Sequence, residues 1–398
     1  MKKTTNRYIF ALIVAAIVLT GCTQISTTEN DVVDALNKSE EQTSTSNNFR
    51  EVFEIPSESE RESLPDCSSV LYTDFPTDIS KIYTITPLGN VDPPEHTIPT
   101  DHLYMHFHPG GTNTNTYDLI APADVWVIHI ISYFGSTLDP EDHVIYFAVC
   151  KDVIGYYNHV KELSPGMKKI VEEECGSDGV ADNKNCFVQS FEPVKAGTYM
   201  GKIGRLQGNF DFGTIDLRTE HDFINKERYA KRTLHIQCPT DYYSSELKDR
   251  FLKLMPRSDG SCGKINYDIP GTLQGNWFYG NATEYYGGDW VKHAFFGYDN
   301  EKPDLAVISI GGVIVDEVDG LRWTFAPEIS GIKNVRFENT AIESIYCYDK
   351  NSEDQFNIGP KGKIVMQLVS GSELKIEHQT GSCSGNEQFG VNAVVYGR

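Results

Sequence analysis

Short apolar runs separated by turn residues recur through most of the chain, as at 125–133 and 363–369. They are rich in Val, Ile, Tyr and Phe and are bounded by Gly, Pro, Asn or Asp, which is typical of short β-strands joined by tight turns. Helical periodicity is sparse: the best segment is 244–254, with Ser244 as its N-cap, and a shorter one covers 168–174. The sequence therefore predicts a mainly β fold.

The first 22 residues have the order of a secretory signal peptide: three basic residues, an apolar run at 9–19 and small residues before Cys22. The apolar run is shorter than the roughly 20 residues that span a bilayer. Leu-Thr-Gly-Cys at 19–22 is similar to a prokaryotic lipobox, in which the cysteine becomes the lipidated first residue. That resemblance implies a signal peptide at 1–21 and an exported protein anchored through Cys22, facing the periplasm or the exterior. An uncleaved anchor, or a signal peptide with a chance cysteine, are the alternatives.

Composition divides the remainder of the chain. Residues 22–66 are dominated by Ser, Thr, Asn, Glu and Gln and lack the apolar content to fold, which predicts a flexible tether. The length that follows suits two domains. A Pro-Gly turn near 266–275 marks the boundary, with a first domain at 67–265 and an all-β barrel or sandwich at 272–398.

The formal net charge is −21. An acidic surface argues against nucleic acid as a partner, because binding to phosphates depends on clustered Lys and Arg. The expected partners are the membrane, through the lipid anchor, and cell-wall material or an envelope protein.

Nine cysteines are present, and removing Cys22 leaves eight. An even number in an exported chain predicts disulfide bonds, although several could instead stay free and buried. Proximity along the chain favours three pairs and leaves a fourth: Cys175–Cys186, Cys238–Cys262, Cys347–Cys383 and Cys67–Cys150.

Four segments, in order, resemble the lysostaphin-type (LytM-type) zinc endopeptidases. Residues 95–101 look like the early His/Asp motif of that family, and 120–127 resemble its Ala-Pro segment. Residues 156–163 resemble its Tyr-x-His-Leu step, and 193–204 its glycine-containing hairpin. The resemblance covers about 88–218 and implies a lysostaphin/LytM-like β-barrel, a barrel-sandwich hybrid. It also makes zinc a possible cofactor, although none is certain.

The residues that this resemblance implies depart from the family pattern. The candidate metal ligands are His96, Asp101, His102 and Asp216, and His159 is the candidate for proton transfer. Thr214 stands where the proton-transfer histidine of the family belongs, and its hydroxyl cannot accept a proton near neutral pH. His96 and Asp101 are five residues apart, which places them on opposite faces of a regular strand, whereas His102 shares the face of His96.

Three hypotheses follow for the first domain. It is a degenerate, non-catalytic relative with a binding or scaffolding role, or a metal-dependent cell-wall endopeptidase or amide hydrolase with a rewired His/Asp site. In the third, it is a generic β-barrel without a site. In the second domain, Trp277, Trp290 and Trp323 either fill a barrel core or form a binding surface.

Overall fold

A computed structural model describes residues 56–109, 115–134, 141–176, 185–205, 208–284, 287–315, 320–349 and 357–398. The predicted signal peptide at 1–21, the predicted lipid-bearing Cys22 and most of the predicted tether lie outside these ranges. Within them, no helix combines the length and apolar character needed to cross a membrane.

The protein is mainly β, with 38% strand and 15% helix, so the predicted fold class is confirmed at that level. The α-helices in the described residues are α1 (Glu58–Ser63), α2 (Pro165–Cys175) and α3 (Ser245–Leu252). The described strands, in chain order, are β1 (Thr84–Thr86), β2 (Leu103–His106), β3 (Tyr117–Ile120), β4 (Val125–Phe134), β5 (Glu141–Cys150), β6 (Val153–Val160), β7 (Glu162–Leu163), β8 (Cys186–Val194), β9 (Tyr199–Ile203), β10 (Asn209–Asp216), β11 (Ile236–Gln237), β12 (Gly275–Tyr279), β13 (His293–Tyr298), β14 (Ala306–Ile310), β15 (Leu321–Phe325), β16 (Ile345–Asp349), β17 (Lys363–Leu368), β18 (Glu373–Gln379) and β19 (Val394–Gly397).

The first eleven strands form two antiparallel sheets. The larger has the order β1-β2-β10-β6-β5-β4-β8, with β11 paired to β10, and the smaller has the order β3-β9-β7. Strands distant in sequence are therefore neighbours, since β10 lies between β2 and β6. This arrangement brings side chains near residues 102, 159 and 211 onto one part of the sheet.

The last eight strands form one antiparallel sheet in the order β15-β14-β13-β12-β19-β18-β17-β16. The sheet curls until its two edge strands approach each other, since the rings of Phe325 on β15 and Tyr348 on β16 lie 5.5 Å apart. Trp277 and Trp323 are buried in the core of this sheet, whereas Trp290 is 38% exposed. Two of the three tryptophans therefore fill a core, as one of the two hypotheses expected.

Two hydrophobic cores accompany these sheets, but they are in contact. The first core consists mostly of residues from 64–267 and also takes in Phe278, Phe295 and Val307 of the second sheet. The second core is drawn from residues 273–396. All described residues belong to one compact unit, so a division into two domains near 266–275 stays a prediction.

The predicted helix at 244–254 is present as α3, and the Ser244 hydroxyl accepts the backbone N–H of Leu247 at 3.4 Å. The predicted segment at 168–174 lies inside α2. Helix α1 was not expected, since it falls inside the predicted tether of 22–66. Ser57 and Glu60 form a capping box there, and Arg61 pairs with Asp152 of the folded body. Residues 57–66 therefore belong to that body.

Disulfide bonds, predicted from the even cysteine count, are present. Their Cα–Cα separations lie within the range that such a bond requires. The four pairs are Cys67–Cys150 (5.1 Å), Cys175–Cys186 (6.1 Å), Cys238–Cys262 (6.2 Å) and Cys347–Cys383 (5.8 Å).

Candidate functional site

A polar patch covers adjacent strands of the larger first sheet. In the strand register, Asp211 on β10 lies opposite Tyr104 on β2 and Asn158 on β6. Alternate residues of a strand share a face, so Asn209 and Asp211 are on the same side of β10. His102 immediately precedes β2 and lies on the face of Tyr104. The sheet therefore assembles polar residues from three strands that are far apart in sequence.

Asp211 lies at the centre of this patch and is only 2% exposed. Its Oδ2 lies 3.3 Å from Nε2 of His102 and 3.5 Å from Nε2 of His159. The side-chain amide of Asn158 donates a hydrogen bond to the same oxygen at 3.3 Å. The buried carboxylate of Asp211 therefore contacts two histidines that come from different parts of the sequence.

His159 reaches this patch because of a β-bulge. Ile145 pairs with Tyr157 and His143 pairs with Val160, so two residues of β6 lie opposite Val144 alone. His159 takes φ = 63° there, a left-handed conformation that is unfavourable for a residue with a side chain. The bulge turns its imidazole toward the face of Asn158, which regular alternation would not do. Such backbone strain costs on the order of 1–3 kcal/mol and is concentrated at functional sites.

The other ring nitrogen of each histidine, Nδ1, lies next to a second carboxylate. Nδ1 of His102 lies 2.7 Å from Asp101, and Nδ1 of His159 lies 2.9 Å from Asp142. Together with Asp211 these five residues form an alternating chain of acids and imidazoles, which we call the Asp–His network. The network fixes the orientation of both rings.

Two basic side chains flank the Asp–His network at its ends. Nε of Arg232 lies 3.3 Å from Oδ2 of Asp101, and Nζ of Lys161 lies 3.4 Å from Asp142. The side chain of Lys161 is only 2% exposed. Burying a charge is costly unless it is paired, so these contacts tie the network to the fold around it.

Electrostatic effects favour the charged form of the network. Burial alone would raise the pKa of Asp101, but the charge of Arg232 and the hydrogen bond with His102 hold it well below its ordinary value. Burial disfavours the imidazolium of His102, yet the charge of Asp211 and the bond to Asp101 raise its pKa. Asp211 and Asp142 raise the pKa of His159 in the same way, against burial. Both histidines therefore pair with carboxylates as cations more readily than free histidines would.

A pocket of about 160 Å³ opens beside the network. Its walls come from β4, β5 and β6 and from the segment that carries Arg232. The lining side chains are Ile131, Tyr133, Asp142, Val144, Tyr146, Asn158, His159 and Arg232. Polar groups from the network thus meet aromatic and aliphatic side chains in one concave surface.

The structure gathers some of the predicted site residues and separates another. His102, Asp101 and His159 belong to the network, and the ring of His96 lies 6.3 Å from that of His102. Asp216 instead pairs with Arg218 and accepts the hydroxyl of Tyr242 at 2.7 Å.

Distance and strand geometry both keep Asp216 apart from the network. At about 3.3 Å per strand residue, it lies roughly 16 Å along β10 from Asp211, and on the opposite face. Thr214 is fully buried on that other face, with its hydroxyl 2.9 Å from that of Tyr72. The four predicted metal ligands therefore do not converge.

Within the described residues, the Asp–His network does not bring three donor atoms within 4.8 Å of one another. Among the residues described, one group of three His, Cys, Asp or Glu side chains has all its donor atoms within 4.8 Å of one another: Cys347, Cys383 and Glu387. Its two sulfurs are joined in a disulfide and are not thiolate ligands. Tyr104 lies between His102 and His106 in the sequence, and the centroid of its ring is 4.6 Å from that of His102 in the Asp–His network.

Asp211, Asp142 and Arg232 were not predicted from the sequence. Asp211 carried a usable signal, because the segment 209–212 alternates polar and aromatic residues as a half-buried strand does. Asn209 and Asp211 are separated by one residue, as are Thr214 and Asp216, which were matched to the late motif of the family. Asp142 and Arg232 carried no such signal, since only the fold brings them to His159 and Asp101.

No protein-family model matches the chain, and no curated protein is a significant match.

Proposed function

We propose that the chain is a cell-envelope lipoprotein with a non-catalytic binding role, carried by the pocket beside the Asp–His network. The observation that carries this proposal is the position of Asp211 between His102 and His159, where it acts as their shared counter-ion. With Arg232 and Lys161 at the ends, each carboxylate of the network faces at least one basic side chain of the same protein. Such a set requires no metal to be stable.

Location supports the same proposal. Four disulfides are characteristic of proteins made for an oxidising compartment, in keeping with a signal peptide and a lipid on Cys22. The resemblance of 88–218 to lysostaphin-type peptidases suggests that the binding role concerns cell-wall material or an envelope protein. The loss of the expected proton-transfer histidine at Thr214 argues against hydrolysis.

The test is the metal content and thermal stability of the purified full-length chain. We expect substoichiometric zinc and an unfolding temperature that a chelator leaves unchanged. One zinc per chain that disappears in His102→Ala would contradict the proposal. Asp216→Ala is the matched control, because Asp216 lies outside the network and its loss should not alter zinc content.

A second candidate function is a metal-dependent hydrolase with a rewired site. Three observations favour it. Both Nδ1 atoms are held by carboxylates, as they are in many zinc sites. The buried Nε2 of His102 lies 3.3 Å from Asp211 without forming a hydrogen bond to it. The distances of 3.3 and 3.5 Å to Asp211 also approach the roughly 3.4 Å between neighbouring ligands of tetrahedral zinc. The metal measurement separates the two candidates.

A further inference from the structure

The pocket beside His159 is small and has firm walls. Its volume of about 160 Å³ equals that of roughly five water molecules. Ile131, Asp142 and Asn158 belong to three neighbouring strands of one sheet, which fixes their relative positions. A pocket of this size accepts the end group of a ligand and leaves the rest of the ligand outside.

Arg232 is the permanently charged group in the lining, and three of its contacts orient the guanidinium. Its Nη1 donates to the hydroxyl of Tyr146 at 2.8 Å, its Nε faces Asp101, and its guanidinium stacks over the ring of Tyr156 at 5.9 Å. The guanidinium is thereby oriented before any ligand arrives, which lowers the entropy lost on binding. A planar guanidinium in a fixed orientation suits a carboxylate, which it can bind with two parallel hydrogen bonds.

The pocket does not share the strong negative charge of the protein. The chain as a whole carries −21, but each acidic side chain in or beside the pocket interacts with at least one basic side chain. The acids are Asp101, Asp142, Asp211 and Glu284, and the bases are His102, His159, Lys161 and Arg232.

These four acids are poorly available to a ligand in the pocket. Asp101, Asp211 and Glu284 do not line the pocket, and Asp142 is engaged by His159 and Lys161. An anionic end group therefore meets Arg232 without a competing unpaired carboxylate in the lining.

We propose that this pocket binds the carboxylate end group of a small ligand, with Arg232 holding the carboxylate and Ile131 and Tyr133 contacting its short stem. The inference rests on the proposed non-catalytic binding function and specifies the chemistry that it recognises. A carboxylate of this kind occurs at the C-terminus of a peptide and on an acidic sugar.

The experiment is calorimetric titration of the full-length chain, in the presence of a chelator, with three probes. They are N-acetylalanine for a peptide C-terminus, glucuronate for an acidic sugar, and N-acetylalaninamide as the neutral analogue. We expect one of the two acids to bind at least about tenfold more tightly than the amide, the usual effect of a charge-assisted hydrogen bond. Which acid binds identifies the source of the carboxylate.

Substitutions of Arg232 test whether the carboxylate binds in this pocket. Arg232→Gln should remove the preference for the acid, and Arg232→Lys should restore part of it, because the charge returns without the planar fork. Arg218→Gln is the matched control: Arg218 also pairs with one aspartate, Asp216, but outside the pocket. Circular dichroism checks that each variant is folded.

Equal affinity of the wild-type chain for the acids and the amide, or no binding of either acid, would overturn the inference even if Arg232→Gln does not fold. A folded Arg232→Gln chain that keeps the acid preference would also overturn it. These outcomes are separate from failure of the proposed function, which would appear as stoichiometric zinc or as binding that the chelator abolishes.

Discussion

Asp211 is the residue on which the site depends most. It is buried, and it contacts both imidazoles through one oxygen. Removing one partner of a buried charged contact leaves the others without compensation, and this is usually more costly than the intact contact is favourable.

The first prediction follows from that asymmetry. Asp211→Asn should lower the free energy of unfolding by about 3 kcal/mol, because His102 and His159 lose their shared counter-ion. Urea denaturation measures the change. Asp118→Asn is the control, since Asp118 pairs with Lys202 on the exposed surface and such pairs contribute about 0–1 kcal/mol. Equal effects of the two substitutions would contradict the role given to Asp211.

The second prediction concerns His293, which is 1% exposed and lies with its Nε2 3.0 Å from the carbonyl oxygen of Thr283. Burial lowers the pKa of His293 from 6.5 to about 4. The unfolded chain therefore binds more protons than the folded chain between these values, and stability falls as pH falls from 6.5 toward 4, by up to about 3 kcal/mol.

Substitution tests that pH dependence. His293→Gln should flatten the part of the stability profile between pH 6.5 and 4, whereas His235→Gln, at a partly exposed position, should retain the wild-type fall. Chemical denaturation at a series of pH values gives both profiles. A His293→Gln profile parallel to that of the wild type would show that this histidine does not titrate as its burial requires.

At the scale of elements, the sequence predicted what local patterns determine. The Ser244 cap, the α3 segment and many short strands could be predicted because N-cap chemistry and apolar runs are local signals. Helix α1 was not predicted because its composition is polar. A capping box at its N-terminus and the ion pair of Arg61 with Asp152 hold it in place.

The site was harder to predict, for two physical reasons. The bulge at His159 breaks the two-residue alternation on which facing arguments depend. The pairing of β10 with both β2 and β6 is a long-range contact, so the proximity of Asp211 to His102 has no local signature. His96, Asp101 and His102 could be grouped from the sequence alone because they lie close together in it.

The third prediction tests the packing of β10 against β6. A Cβ at Gly213 would lie 2.0 Å from the ring of Tyr156, whose hydroxyl donates to the backbone carbonyl of Asp101. Gly213→Ala should therefore lower the free energy of unfolding by about 1–3 kcal/mol, the usual cost of overpacking. Gly371→Ala, where no atom lies within 4 Å, is the control. Thermal or urea denaturation compares them, and equal stability of the two variants would contradict this packing.

At the scale of the whole molecule, disulfides constrain segments of very different length. Cys67–Cys150 closes a separation of 83 residues, whereas Cys175–Cys186 closes 11. In the chain-entropy view, a longer loop loses more freedom in the unfolded state when it is cross-linked.

The fourth prediction compares these two bonds. Replacing Cys67 and Cys150 together by Ala should cost about 4–5 kcal/mol of unfolding free energy, and replacing Cys175 and Cys186 about 3 kcal/mol. Guanidinium denaturation of the two double variants, with the remaining bonds oxidised, gives the comparison. A larger loss from the short loop would contradict an origin in the unfolded chain.

The most direct test of the central claim, that the Asp–His network is complete without a metal, is a double-mutant cycle in the presence of a chelator. The cycle uses Asp211→Asn, His102→Gln and the double variant, and it yields the coupling between the two side chains in the metal-free protein. We expect a coupling of about 1–3 kcal/mol that added zinc leaves unchanged. A coupling of zero in the chelator that appears only when zinc is added would contradict it.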